Sequence, residues 1–238
     1  MEFTVPPVDL DKVRLYRRSR ICEQLIKHDY AGILLFDPLN TRYACDVTIM
    51  QVWCTHYETR CVLLMTDGKT IFFDYADHVH LIEGLSIIDD YQVMDVFNYF
   101  AAGDKSSNHA KGFARQIRDT MEKYGGKNNR LAIDRLSHLG VDALRSLGLQ
   151  MFDGQEVTEI ARSVKSKEEM ELMRASIDIA ELGMDAMKRA LVAGITENGL
   201  WAKLHECNIA NGGEWIETRL LTSGPRTNPG FMNAPCAG

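Results

Sequence analysis

The sequence predicts an α/β fold built on a mixed sheet, and three observations carry that expectation. Short apolar runs of strand length alternate with helical periodicities between residues 11 and 154. Two of those runs are joined by the turn Thr66-Asp67-Gly68, a hairpin signal. Past residue 158 the pattern changes to long amphipathic helices, so a second domain of different style is expected.

Taken in order, residues 11–29 read as a helix with Leu15, Cys22, Leu25 and Ile26 on its apolar side. AGILLF (31–36) is a buried strand bounded by Gly32 and by Asp37-Pro38. The stretch carrying Trp53 and His56 reads as an irregular loop. RCVLLM (60–65) and KTIFFDY (69–75) form the hairpin, and LSIID (85–89) and VMDVF (93–97) are further strand candidates. Residues 109–126 read as a helix ended by glycine, 130–134 as a strand, 138–147 as a short helix and 148–154 as a strand.

Beyond this, Ser166-Lys167-Glu168-Glu169 has the form of a capping box. Behind it Met170, Met173, Ile177, Ala180, Met184, Met187 and Leu191 repeat at three- and four-residue steps. That stripe is read as core rather than as a cofactor surface. Gly194 ends the helix, Thr196 caps the next, and EWIETRLLTSG (214–224) reads as a strand before Gly224-Pro225. The boundary falls near residues 155–165, giving domains 1–158 and 159–238.

Bulk properties narrow the function. With 45% hydrophobic and 25% charged residues the chain is expected to be globular, and a net charge of -6 argues against a nucleic-acid partner. The basic cluster at Arg14, Arg17, Arg18 and Arg20 reads as a solvated helix face. No apolar run spans a bilayer, and the first residues lack a signal-peptide layout, so no membrane partner is expected. Six cysteines without a C-x-x-C pair fit reduced thiols and a cytoplasmic location. Asp74-x-x-Asp77-His78-x-His80 has metal-ligand residue types, yet reads as surface polar residues with Asp77 as a helix N-cap.

Two segments carry a resemblance. EIARSVKSKEEMELMRASIDIAELGMDAM and GILLFDPLNTRYACD resemble the creatinase and aminopeptidase P superfamily. LLFDPLNTRYACDVTIMQVWCTH and HECNIANGGEWIETRLLTSGPRTNP look still closer to its dimethylsulfoniopropionate (DMSP) lyase branch. The resemblance covers roughly residues 12–229. It implies a creatinase-type N-terminal domain followed by the first two helices and first strand of an incomplete α+β pita-bread domain. It also implies a homodimer, a small zwitterionic substrate, and two divalent ions in the complete enzyme, iron or alternatively manganese or zinc. The ligands of those ions lie downstream in the family, so this chain is expected to hold no metal, to supply no catalytic residue and to be inactive alone.

The resemblance also directs attention to side chains suited to that zwitterion. Aromatic faces attract a sulfonium, and arginine is a natural partner for a carboxylate. Trp53, Tyr43, Trp215 and Phe231 are the aromatic candidates, Arg219 and Arg226 the cationic ones. Bland alternatives stand beside them: Trp215 as core, and the arginines as ordinary ion-pair residues. Phe231, eight residues beyond Ser223, stands where the hydrolase branch carries a catalytic histidine. A phenyl ring handles no proton, which speaks against peptide or creatine hydrolysis. An Xaa-Pro peptidase or creatinase-type hydrolase is the runner-up, and a non-catalytic dimerisation module the third reading. Limited proteolysis is expected to cut within residues 160–238 while 12–155 resist, because the helical stripe seeks a sheet to cover it. Earlier cleavage inside 12–155 would contradict this.

Overall fold

The structure, a computed structural model, describes residues 7–48, 51–214, 216 and 218–227. They fall into two units, Leu10–Ser166 and a second made of the described residues before 10 and after 166. The division lies later than the expected 158/159 boundary for a physical reason. Helix α7 (Gln155–Ser163) buries Val157 and Ala161 against α1 (Leu10–Lys27). The Tyr16 hydroxyl then ties the next turn down by donating to the Val164 carbonyl at 3.0 Å.

The first unit is a six-stranded mixed sheet between two helical layers. Its strands are β1 (Gly32–Leu35), β2 (Cys61–Met65), β3 (Thr70–Asp74), β4 (Asp90–Val93), β5 (Arg130–Ile133) and β6 (Gln150–Asp153). Their order is β4-β3-β2-β1-β5-β6, and β2 alone runs against the others. Leu34, Leu63 and Phe73 point to a layer formed by α5 (Ser106–Gly125) and α6 (His138–Ser146). Ile33, Leu35, Val62, Leu64 and Phe72 point to α1, α2 (Pro38–Cys45) and α7. Both faces are covered, which is why these strands read as continuous apolar runs rather than alternating ones.

Local chemistry fixes the connections. The β2–β3 turn needs Gly68 at φ +93°, and the Asp67 carboxylate accepts from the Lys69 amide at 2.9 Å. At the end of β6 a Cβ on Gly154 would lie 2.7 Å from the Ile133 backbone, so only glycine lets the chain pass. Asp37 caps α2, accepting from the Leu39 and Asn40 amides, with Pro38 in the first turn.

Several expectations need correction. The Trp53 stretch is helical, as α3 (Gln51–His56). Residues 85–89 form turns, and the strand is Asp90–Val93. Residues 94–97 bury Met94, Val96 and Phe97 without extending the ladder. Both apolar runs anchor connecting chain, and burial alone does not require a strand. Asp77 is not a cap either: the N-cap of the 3-10 turn Val79–Ile82 is His78, which makes no side-chain capping bond.

In the second unit α8 (Lys167–Ala190) packs on α9 (Glu197–Ala210). A Cβ on Gly183 would meet Leu204 at 2.6 Å, so glycine permits the close crossing. Thr196 caps α9 by accepting from the Gly199 amide at 3.1 Å. The expected core stripe is open: Met170, Met173, Ile177, Met184 and Leu191 are 41–64% exposed. Among the described residues of 214–223 there is no strand, and Gly224–Thr227 is a 3-10 turn. Among the described residues of this unit no sheet supplies a ladder partner or a cover for the stripe.

Asp134, just past β5, is 7% exposed and accepts four hydrogen bonds. The donors are the amides of Phe36, Asp37 and Arg135 and the Asn40 side chain, at 2.7–3.0 Å. Burial raises its carboxyl above the ordinary range, and these bonds pull it back only in part. Asp134→Asn turns one acceptor oxygen into a donor facing donors. It should lower the unfolding free energy by about 2–4 kcal/mol in urea melts. A melt like that of the unaltered chain would contradict this.

Candidate substrate-recognition residues

In the first unit Trp53 sits on α3 within a group of three rings. Its centroid is 4.6 Å from Tyr57 and 5.2 Å from Phe100, the latter edge-on at 76°. Tyr57 and Phe100 are 5.4 Å apart. Phe100 comes from α4 (Tyr99–Ala102), whose N-cap Asn98 accepts from the Ala101 amide. Arg135 holds the end of α3 by donating to the Thr55 carbonyl at 3.0 Å and to the Cys54 carbonyl. The group remains open, with Phe100 69% exposed, so ring surface is available to a cation. Sequence reasoning missed Tyr57 and Phe100. The available signal was the adjacent pair Tyr99-Phe100, which fits no apolar period.

Tyr43 is placed differently. It lies in the core at 8% exposure, donates its hydroxyl to the Ala161 carbonyl at 3.2 Å, and carries the Arg17 guanidinium over its ring at 5.2 Å.

The Asp74 to His80 stretch, read from sequence as surface polar residues, includes a buried acid with two partners. Asp74 is fully buried, paired to Arg60 at 3.0 Å and to His78 Nδ1 at 3.0 Å. Asp77 is mostly exposed, and His80 Nδ1 meets the Asp77 carbonyl at 3.0 Å. Nearby Tyr91 has its hydroxyl pushed up to about 12, chiefly by burial and then by the Asp74 charge. It therefore stays protonated as donor to the Tyr75 carbonyl. Among the described residues, no group of three or more His, Cys, Asp or Glu could hold a metal ion.

In the second unit the two arginines differ sharply. Arg226 pairs with Glu197 at 2.9 Å, and the same carboxylate oxygen accepts from the Ser223 hydroxyl at 2.6 Å. The Glu197 side chain is 5% exposed. The Ser223 hydroxyl, and then Arg226, hold its carboxyl below the ordinary 4.5. Arg219 instead lies over the Trp201 ring at 5.7 Å, and Trp201 meets His205 edge-on at 4.9 Å. The Nε and Nη2 of Arg219 are shielded from solvent and have no hydrogen-bond partner. Trp215 and Phe231 lie outside the described residues.

Comparisons place this architecture. No family model matches the chain. Its fold resembles that of Xaa-Pro dipeptidases and prolidases over about half of their length. It is similar to the Xaa-Pro dipeptidase from Bacillus anthracis, with TM-score 0.59 and 15% identity over 82% of this chain and 48% of that one. It is also similar to the prolidase from Thermococcus sibiricus, with TM-score 0.60 and 16% identity over 87% and 52%. At such identities the likeness shows the fold alone.

Sequence goes further. The chain is 39% identical over 229 residues to dimethylsulfoniopropionate lyase DddP of Roseovarius nubinhibens, and 41% identical over 229 residues to that of Roseobacter denitrificans. These alignments cover 94% of the chain and 51% of each relative. The chain is thus homologous to DddP over its aligned part and spans about half the length of the curated relatives it matches.

The Glu197 clamp generates a pH prediction. A carboxyl whose folded pKa is depressed adds stability above its unfolded value and loses it as pH falls through the folded one. The stability gap between the unaltered chain and Glu197→Gln should therefore be present at about pH 6 and close as pH falls below 4.5. Urea melts across that range check it. A gap unchanged at acid pH would show that the charge is irrelevant.

Proposed function

We propose that this chain is the N-terminal part of a metal-dependent lyase that converts DMSP to dimethyl sulfide and acrylate. One observation carries the reading: 39–41% identity to DddP lyases over 94% of the chain. The fold alone would serve an Xaa-Pro peptidase equally well, and no further observation favours that alternative.

The reaction is a β-elimination. A base takes a proton from the carbon beside the carboxylate, the electron pair forms the new carbon–carbon double bond, and the carbon–sulfur bond breaks to release neutral dimethyl sulfide. Such a substrate asks for a group that tolerates a sulfonium without attacking it, and for a donor to its carboxylate. The rings of Trp53, Tyr57 and Phe100 offer the first kind of group within the first unit. Taken by itself, the second unit carries two cations of the second kind, Arg219 stacked on Trp201 and Arg226 already paired with Glu197. Trp215 and Phe231 remain candidates by sequence, while the buried Tyr43 is assigned to supporting the α2 layer.

Two divalent ions, iron in the first instance, are part of the reading. The described residues do not themselves fit such a centre, so no step is routed through a metal held by this chain. The reading also includes a homodimer and a cytoplasmic location. Among the described residues Cys22, Cys45, Cys61 and Cys207 form no disulfide, which supports a reducing compartment. Among the described residues no helix is long and apolar enough to cross a membrane.

The test uses a full-length protein carrying this sequence, assayed for dimethyl sulfide release from DMSP beside hydrolysis of an Xaa-Pro dipeptide. Trp53→Ala should raise the KM for DMSP roughly five- to thirtyfold, the loss of about 1–2 kcal/mol of cation–π attraction. Efficient dipeptide cleavage without dimethyl sulfide would sink the lyase reading.

A further inference from the structure

We infer that Arg219, held on the face of Trp201, is the receptor for the carboxylate of a small substrate, and that Arg226 is not. This rests on the lyase reading for the substrate's identity but not for the chemistry of the subsite. A guanidinium binds a carboxylate best through two parallel N–H groups, and its Nε and one Nη form such an edge. In Arg219 that edge is the part left without an acceptor, at Nε and Nη2. Buried donors are normally paired, and an orphaned pair on one cation marks a missing anion.

Two acids of α9 are engaged elsewhere. Glu206 on the same helix is committed to Lys203 at 2.8 Å, and Glu197 gives one oxygen to Ser223 and Arg226. The second Glu197 oxygen is itself buried without a partner, yet it makes no bond to Arg219. Arg226 has its charge answered by Glu197 and is the poorer receptor.

Trp201 is the positioning residue. Its ring lies under the guanidinium at 5.7 Å, and His205, one turn further along α9, meets it edge-on. Stacking on an indole orients the planar fork and leaves its edge for the ligand. The described part of this stretch makes no strand pairing, and the adjacent Leu220 is 67% exposed.

The experiment follows the arginine Nε–H resonances of the 238-residue chain by NMR, with Arg219→Lys identifying the relevant signal. Sodium propionate and DMSP should both move the Arg219 signal, and ethyldimethylsulfonium, which lacks the carboxylate, should not. Trp201→Leu should raise the half-saturating propionate concentration roughly fivefold or more, whereas Arg226→Lys should leave it within about twofold. A signal unmoved by propionate overturns the proposal. So does a signal that shifts in Glu197→Gln without any added carboxylate, because Arg219 would then be paired within the chain. The two readings separate cleanly. A full-length protein that releases dimethyl sulfide while Arg219 stays silent leaves the lyase reading intact and removes the subsite. Propionate binding at Arg219 without DMSP cleavage supports the subsite and removes the lyase.

Discussion

At the carboxyl end of β5, the Asp134 carboxylate receives the amides of Phe36, Asp37 and Arg135 together with the Asn40 side chain. Much of the first unit's upper edge depends on that convergence. It stitches the turn after β1 to the turn after β5 and fixes the start of α2. It also sets the backbone of Arg135, whose guanidinium reaches across to the Thr55 and Cys54 carbonyls at the end of α3. The position of Trp53 is thus inherited from a buried carboxylate elsewhere in the sheet. A buried acid is costly unless its lone pairs are filled. Four donors fill these, and burial still leaves the carboxyl above its ordinary range.

The sheet was legible because its physics is local. β1, β2 and β3 are apolar runs covered on both faces, and the Thr66-Asp67-Gly68 turn announces its own hairpin. The long helices announced themselves through periodicity, and α9 through its Thr196 cap. Legibility failed where side-chain burial and backbone pairing part company. Residues 85–89 and 94–97 are as apolar as strands, but they anchor turns and coil around β4. The Asp37-Pro38 start of α2 was a readable helix signal, overlooked because the segment is short. The 214–224 stretch has strand-like composition, but a strand needs a neighbour, and its described residues find none.

The candidate recognition residues divide in a similar way. Residue type alone nominated Trp53 and both arginines, but type cannot say which side chains are already engaged. Geometry can: Tyr43 is spent on the core and Arg226 on Glu197, while the Trp53 rings are open and the buried Arg219 edge has no hydrogen-bond partner. Tyr57 joins the group only because the rings of Tyr57 and Phe100 meet in the folded unit, a contact that residue type does not announce. The helix stripe from Met170 to Leu191 makes the same point from the opposite side. Its period foretold an apolar face correctly, and only the structure shows that face standing open in this unit.

Homology to DddP over half that protein's length makes elimination, rather than hydrolysis, the central claim. The most direct test is product analysis of a full-length protein carrying this sequence, incubated with DMSP. Elimination predicts acrylate and dimethyl sulfide in equal amounts. Hydrolysis at the same carbon would instead yield 3-hydroxypropionate with dimethyl sulfide, and finding that product in place of acrylate would contradict the account.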